Sequence, residues 1–346
     1  MASAKSRAEV NQIGVVHFGL GPIGRLIAQA VAGRQYLRSA AAVDRDPNLA
    51  GCDLSELIGG AASGVRVTAD ADEALRLDAQ VVLHSTVSRL SDAAPQLMQC
   101  ISSGKRVIIS TCEELAYPWR TQPELAKQIH AAALEGHSVV VGAGVNPGFA
   151  MDYLPLALSG AMAEVRSVTV RRTQDISGRR NRLKEKLGIG LTPNEFQRLV
   201  DTGRVGHIGL RESGDALAGA LGWDLTRVVE AMNPMLAEAP AKSGAGGATD
   251  GMVTGVSQTL SGYVGRRLVL RLILELGVAV KASADEITLE GEPGIQMLVP
   301  GGIQGDLATA ALSVNTIASA MGAAPGLRSM AELPPARPGP PLAVRS

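Results

Sequence analysis

The sequence predicts an α/β protein, with a doubly wound parallel sheet in its first half and an α+β unit with a mostly antiparallel sheet after it. Three observations lead there. Between Ile13 and about Gly144, short apolar runs alternate with helix-period segments, as buried parallel strands and their covering helices do. After Gly148 that alternation stops, and period-two stretches such as Glu164–Thr173 replace it, the pattern of strands with one solvated face. At 346 residues the chain is long enough for two units, each with its own core.

The first unit opens on an apolar run, Val15–Phe18, that meets Gly19, Gly21 and Gly24 and continues into a helix-period pattern at Leu26, Ile27, Ala30 and Val31. Gly19 permits the tight turn, Gly21 lets the backbone approach a pyrophosphate, and Gly24 lets the helix pack closely on the strand. The helix begins at Pro22 or Ile23, where a missing N–H costs nothing, and its positive end faces the phosphates. Asp44 closes the next apolar run, Ala40–Val43, 20 residues beyond Gly24, where a carboxylate reaches an adenosine ribose. Strand, glycine turn, helix and acid together predict a Rossmann-type dinucleotide site built from Gly19, Leu20, Gly21, Pro22, Ile23, Gly24 and Asp44. Asp44 favours NAD, while Arg45 directly after it can pair with a 2′-phosphate, so NADP stays open.

The remaining elements of this unit follow in order. A loop through Gly51–Leu54 leads to a short helix at Leu54–Ile58, a strand at Val65–Thr68 and a helix entered at Asp70. Strands at Asp78–Thr86, Arg106–Cys112 and His137–Gly142 are separated by helices at Ala93–Ser102 and Pro123–Leu134. Ligands of such sheets bind beyond the carboxyl ends of the strands, which gathers residues 19–24, 84–88, 110–115 and 144–149 on one rim. Ser85 and Thr86 are placed to meet a nicotinamide ribose or ring, or to bond their own backbone. Glu113 and Glu114 follow a buried strand onto the rim, where a carboxylate can exchange protons with an amine. Glu113 is favoured for that task, with Glu114 the alternative.

The second unit starts with a helix at Met151–Leu158 and the strand Glu164–Thr173. A basic stretch follows, Arg171, Arg172, Arg179, Arg180, Arg182, Lys184 and Lys186, a solvated face or a carboxylate-binding rim. Thr192–Glu195 opens a helix with a capping box and Pro193 in its first turn. Gly206–Ser213 leads into a helix around Gly214–Leu221, and His207 within it is a substrate contact or a structural histidine. Strands are predicted at Leu225–Glu230, Met252–Leu260, Leu268–Leu276 and Glu286–Glu290. Gly301–Asp306 precedes a long helix from Leu307 to about Met321, with Asp306 as its cap and Leu307, Ala311, Val314, Ile317 and Met321 as its apolar stripe. The chain therefore divides into a dinucleotide-binding unit over 1–148, a substrate and dimerisation unit over 149–300, a helical return to the nucleotide unit over 301–333, and a Pro-rich disordered tail over 334–346. A one-sided antiparallel sheet leaves a face to cover, and a second subunit is a natural cover.

Composition narrows the function. Net charge is zero and aromatic residues make up only 3%, so neither an electrostatic footprint for nucleic acid nor a base-stacking platform is present. No apolar run approaches the ~20 residues of a membrane span, and Met1–Val10 lacks a signal-peptide core, which makes the expected location cytoplasmic. Cys52, Cys100 and Cys112 are scattered and the five histidines dispersed, so no metal site is predicted.

Five segments occur in order: Gly19–Gly24 with Asp44, Ser110–Leu115, Gly144–Phe149, Gly206–Ser213, and Gly302–Asp306 with Ala308–Ala311. On these the chain resembles, over roughly Ile13–Leu333, the 2,4-diaminopentanoate dehydrogenases and the related native amine dehydrogenases, whose N-terminal domain is like that of dihydrodipicolinate reductase. The resemblance implies reversible NAD(P)-dependent deamination of a small amine to a ketone and ammonia, by a homodimer joined through its C-terminal sheet. It also implies that a glutamate in the loop Thr111–Leu115, matched best by Glu113, holds the ammonia, and that Asn146, Pro147 and Phe149 line the floor between nicotinamide and substrate. Glu114, Thr173 and His207 complete the expected substrate side. A diamino acid would need a carboxylate anchor, which Arg171, Arg172, Arg179 or Arg180 could supply, whereas a simple alkyl or cyclic amine needs none. Other readings are an imine or enamine reductase, for which the His-His-x-x-Lys and Pro-Ser-Gly-Thr-Ala motifs are not seen, and a hydroxyl dehydrogenase using His84 or His207. A non-catalytic cofactor sensor is a further one, against which the rim carboxylates count.

Overall fold

A computed structural model describes residues 12–178, 181–237, 251–278, 280 and 282–339. Among these, thirteen strands form two sheets, and helices pack around both. The first sheet comes from β1 (Ile13–Phe18), β2 (Leu37–Val43), β3 (Val67–Thr68), β4 (Val81–His84), β5 (Val107–Ser110), β6 (Val139–Gly142) and β13 (Gly326–Arg328), in the order β13-β6-β5-β4-β1-β2-β3. Every pair in it is parallel. The connecting helices are α1 (Pro22–Ala32), α2 (Leu54–Ile58), α3 (Ala71–Arg76), α4 (Leu90–Ser102) and α5 (Pro123–Glu135). The near-continuous apolar strands behave as covered parallel strands should: Val15, Val81, Val82, Val107, Ile108, Val139, Val140 and Val141 have no exposed surface. Burying each such side chain contributes about 1.5–3 kcal/mol, enough together to hold the strand ends, and the loops they carry, in fixed positions.

The second sheet has the order β12-β11-β7-β10-β9-β8. Its strands are β7 (Glu164–Asp175), β8 (Arg227–Leu236), β9 (Val253–Val264), β10 (Arg267–Gly277), β11 (Ala284–Glu292) and β12 (Ile295–Pro300). All neighbours are antiparallel except β7 and β10. Four more helices belong to this half: α6 (Tyr153–Ser159), α7 (Asn181–Lys186), α8 (Pro193–Asp201) and α9 (Leu210–Ala220). α9 packs on β9 and β10, and a Cβ added at its Gly214 would meet Leu260 and Leu270 at 3.0–3.5 Å. That contact identifies the inner face. Register then puts Val168, Val170, Arg172 and Gln174 of β7 on it and Thr169, Arg171 and Thr173 on the outer face.

After β12 the chain runs back along the first sheet. α10 (Gly305–Met321) packs against α1 and the strands β4, β5 and β6, and β13 pairs with β6. Two expectations about α10 are corrected. Its cap is Gln304, whose Oε1 accepts from the Leu307 amide at 2.7 Å, and Asp306 sits in the first turn instead. Its buried face carries Ala310, Ser313, Val314, Ile317 and Ala320, while Leu307 is 58% exposed, because packing between α1 and the sheet sets the helix rotation. Strand β12 and the three-residue β13 lie outside the predicted strands. The first expected Val65–Thr68 strand shortens to Val67–Thr68, and α9 begins at Leu210 rather than Gly214. The predicted leader Met1–Gln12 lies, up to residue 11, outside the described residues, as do tail residues 340–346.

Candidate active site

Chain order reverses direction in the first sheet at β1, which has β2 on one side and β4 on the other. A crevice opens at such a switch point, beyond the carboxyl ends of the strands. Here it is bounded by the turn after β1 and the turn after β4. The Ser85 amide donates to Phe18 O at 2.8 Å, and its hydroxyl donates to Gly19 O at 2.9 Å. The three glycines meet three different demands. Gly19 has φ +98° and a Cβ there would sit 2.6 Å from Ser85 O. A Cβ at Gly24 would lie 2.0 Å from Gly19 O, so helix and turn close on each other only without a side chain. At Gly21 a Cβ would meet nothing within 4 Å, so the backbone faces open space at the start of α1. That opening is the cradle a pyrophosphate requires. Asp44 already accepts from the amides of Leu20 at 2.6 Å and Asp46 at 2.9 Å, which aims the carboxylate and leaves lone pairs for a ribose hydroxyl. Leu20 itself is fully buried, so only its backbone belongs to the turn, and Arg45 is exposed beside the site.

A cleft of roughly 600 Å³ runs from this turn to the inner face of the second sheet. Gly21, Pro22, Ile23, Ser85 and Thr86 line one end, Glu113 and Gly144–Pro147 the middle, and Arg172, Gln174, Lys186 and His207 the other end. Glu113 opens a one-turn 3-10 helix, Glu113–Leu115, directly after β5. The turn is tied down by Leu115 N to Cys112 O at 3.1 Å and Glu114 N to Ser88 O at 3.3 Å. Burial raises the Glu113 pKa. Its own amide, the Lys186 charge and the Ser88 hydroxyl pull the other way, and Glu114 adds to the rise. The loop Gly206–Gly209 leans on the same spot: a Cβ at Gly209, where φ is +112°, would meet Pro147 Cδ at 2.3 Å and Glu113 Cβ at 3.4 Å. His207 is clamped through its backbone, its N–H donating to Gln258 Oε1 at 2.7 Å and its carbonyl accepting from Gln258 Nε2 at 3.0 Å. Burial lowers the His207 pKa to about 4, with the Lys186 and Arg172 charges acting in the same sense. The ring is therefore neutral at ordinary pH.

Three buried polar atoms on cleft-lining residues have no hydrogen-bond partner among the described residues: Asn146 Oδ1, Gln174 Nε2 and His207 Nδ1. Buried polar groups without partners cost about 1–3 kcal/mol each; Gln174 Nε2 is packed against Gly302, where an added Cβ would lie 1.9 Å from it.

Several anticipated site residues are not brought to the cleft. Glu114 turns behind it, where its Oε2 accepts from the Leu90 amide at 2.7 Å and from Gln122 Nε2, and Arg89 lies 3.5 Å from its Oε1. Thr173 faces the outer side of the second sheet and donates to Glu275 Oε2 at 3.0 Å, because its neighbours Arg172 and Gln174 take the inner face. Phe149 stacks on Tyr153 at 5.9 Å and packs into the core instead of the floor. His84 is enclosed by Ser110 Oγ at 2.8 Å, Gln96 Oε1 at 2.7 Å and Thr86 Oγ1 at 2.9 Å, and does not reach the cleft. Arg171 pairs with Glu275 at 2.7 Å on the outer face; Arg172 does line the cleft, but its guanidinium is committed to Asp285 at 2.6 Å and Ile303 O at 2.6 Å. Arg179 and Arg180 lie outside the described residues, as does the side chain of Arg182. Sequence reasoning missed Gln174 because the period-two signal fades at Thr173, although the strand runs on to Asp175.

Comparison with known proteins gives a consistent picture. The family described as the 2,4-diaminopentanoate dehydrogenase C-terminal domain matches residues 149–338, and the dihydrodipicolinate reductase N-terminus matches residues 13–118. A 2,4-diaminopentanoate dehydrogenase of Acetoanaerobium sticklandii is 33% identical over 335 residues, covering 94% of each chain. An amine dehydrogenase of Streptomyces virginiae is 30% identical over 169 residues, 47% of this chain and 46% of that one. The solved amine dehydrogenase of Mycobacterium smegmatis superposes with a TM-score of 0.82 at 26% identity, over 94% of this chain and 97% of that one. Among the described residues, no helix is long and apolar enough to cross a membrane.

Proposed function

This chain belongs to the 2,4-diaminopentanoate dehydrogenase family, and from that premise we propose that Glu113 is the proton-handling carboxylate of its reaction. The protein is an NAD(P)-dependent oxidoreductase acting on CH–NH2 groups: it deaminates an amine to a ketone and ammonia, and aminates in reverse. The observation that carries the Glu113 role is its place in the wall of one continuous cleft that also takes in Gly21, where the backbone is open, and Asn146, Gln174 and His207.

Gly19–Gly24 and the first turn of α1 hold the pyrophosphate, Asp44 the adenosine ribose, and Ser85, Thr86 and Asn146 the nicotinamide half. When bound, the nicotinamide accepts the hydride that leaves the amine carbon. Glu113, ionised, first takes a proton from the substrate ammonium so that the free amine can lose that hydride. That proton passes to solvent, and the carboxylate, ionised again, faces the iminium cation and stabilises it. Water adds to the iminium carbon with Glu113 taking its proton, Glu113 returns that proton to the carbinolamine nitrogen, and ammonia leaves as the carboxylate takes up the hydroxyl proton and the ketone forms. Pro147 and Gly209, in contact beside Glu113, keep bulk water from the reacting carbon. His207 is neutral and serves as a contact, not as an acid.

Asp44 supports NAD as the preferred cofactor, and exposed Arg45 beside it supports some use of NADP. A homodimer through the outer face of the second sheet is supported by exposed Val229 and Leu236 on its edge strand β8. We place the protein in the cytoplasm and divide it at 148, 300 and 333. The test is a spectrophotometric screen of NADH and NADPH formation at alkaline pH with 2,4-diaminopentanoate, 4-aminopentanoate, cyclohexylamine and a 2-aminoalkane. Amine-dependent reduction of the cofactor is expected, and silence with every amine in a protein that still binds NADH would overturn the reading.

A further inference from the structure

His84 ends β4, and the parallel pairing of β4 with β5 sets it opposite Ser110. A fully buried histidine ordinarily fills core space and satisfies its nitrogens nearby. This one joins the two turns that carry Thr86 and Glu113. Its Nδ1 lies 2.8 Å from Ser110 Oγ, which accepts from the amide of Cys112, the residue before Glu113, at 3.1 Å. Its Nε2 lies 2.7 Å from Gln96 Oε1 on α4, and that oxygen also accepts from the Thr86 hydroxyl at 2.8 Å. Thr86 is exposed and lines the cleft, whereas His84 and Gln96 stand behind it.

The partners fix the protons. Burial lowers the His84 pKa to about 4, so the ring is neutral and carries a single N–H. Gln96 Oε1 only accepts, so the proton sits on Nε2, and Nδ1 accepts from the Ser110 hydroxyl. With the proton on Nδ1, the buried Ser110 hydroxyl would lose its acceptor, and Nε2 and Oε1 would meet lone pair to lone pair. Thr86 gives its proton to Gln96 and takes a share of the Nε2 proton at 2.9 Å, which leaves one lone pair for the cleft. Its oxygen can therefore accept from a ligand but not donate to one. A ribose hydroxyl bonds in either sense and needs no such setting, whereas a carboxamide nitrogen only donates.

We propose that His84 is a positioning residue which, through Gln96, sets Thr86 as the acceptor for the carboxamide N–H of the nicotinamide. The inference rests on the assignment of Thr86 to the nicotinamide half, and adds the direction of the bond and the residues that fix it. Two measurements test it. The first uses the protein without cofactor: nitrogen-15 NMR of labelled histidines at neutral pH, with the His84 signal identified by its loss in His84→Asn or its shift in Gln96→Leu. A protonated Nε2 and a bare Nδ1 are expected, and a protonated Nδ1 overturns the proposal.

The second is calorimetric binding of NAD and of 3-acetylpyridine adenine dinucleotide, in which a methyl group replaces the carboxamide nitrogen. The wild type is expected to bind NAD about 2- to 10-fold more tightly than the analogue. That preference should vanish in Thr86→Val, persist in Thr86→Ser, and shrink in Gln96→Leu and His84→Asn, although neither of those side chains reaches the cleft. Gln96→Leu carries the test alone if His84→Asn does not fold. A merely structural role would weaken both dinucleotides alike, and an unchanged preference in Gln96→Leu or Thr86→Val overturns the proposal. A wild type that binds the two equally overturns it while the dehydrogenase reading stands, and one that binds neither overturns both.

Discussion

Replacing Glu113 by Gln keeps the shape of the side chain and removes its charge and its proton. In the wild type this carboxylate is set in the cleft wall with its pKa raised, chiefly by burial, while the Lys186 charge and the Ser88 hydroxyl restrain the rise. A positioned general base contributes about 10²–10⁴-fold, which is roughly 2.7–5.4 kcal/mol of barrier. Its attraction for the iminium comes on top: two unit charges about 4 Å apart at an effective dielectric of about 20 interact by about 4 kcal/mol. A loss in kcat of at least 10²-fold is therefore expected, read as the initial rate of NADH formation with the best amine of the screen. Deamination needs the ionised form, so the wild-type rate falls as pH drops through the Glu113 pKa. Because that pKa is raised, the limb lies above the ordinary glutamate value of about 4.3, and the Gln variant lacks it. Removing the Lys186 charge moves the limb further up. A loss of less than about tenfold with the limb intact would refute the role. Equal damage from Glu114→Gln, together with loss of the limb there, would transfer the role to Glu114.

Other predictions concern the cofactor turn and a buried acid. Gly21→Ala is expected to melt with the wild type, since its Cβ meets nothing within 4 Å, yet to raise the cofactor KM about tenfold or more. Gly24→Ala places a Cβ 2.0 Å from Gly19 O and is expected to lower stability by at least about 1–3 kcal/mol in thermal melts; equal behaviour of the two variants would contradict this division of labour. Asp44→Ala should weaken NAD more than NADP, and an equal loss in both KM values would remove the ribose assignment. Glu212 is 4% exposed, and burial, with Glu114 and Asp215 nearby, raises its pKa to about 7. Between about 4.3 and about 7 the folded state holds a proton the unfolded state has released, so this group's contribution to stability falls as pH rises. Glu212→Gln should thus be more stable than the wild type above neutral pH, by up to about 3 kcal/mol in urea titrations, with the gain vanishing in acid; a gain independent of pH would refute it.

The nucleotide half was legible in the sequence because its signals are local. Strand, glycine spacing, helix start and Asp44 all fall within residues 13–44, and each follows from backbone sterics that a neighbouring chain segment does not alter. Glu113 was legible for a related reason: a buried parallel strand must deliver its next residues to the carboxyl-end rim. The catalytic family was legible from five ordered motifs.

The substrate side was less so. Whether Thr173 or Gln174 points inward depends on which face of the second sheet α9 covers, and that choice is made between segments some 40 residues apart, Val168–Asp175 and Leu210–Ala220. The sequence points to Thr173, and the fold gives the cleft Gln174 instead. The basic stretch reads as a solvated face or, second to that, a carboxylate-binding rim, but Arg171 and Arg172 found carboxylates on β10 and β11 once the strands paired. Phe149 found Tyr153 and the core. The parallel pairing of β7 with β10 and the three-residue β13 leave no local trace, since their bonds join distant strands. The sequence by itself determined which backbone turns and helix ends exist, because those are set within a few residues. Only the tertiary structure decided which polar side chains were used up by partners elsewhere and which were left facing the cleft, because pairing is a contest among all the groups that folding brings within reach.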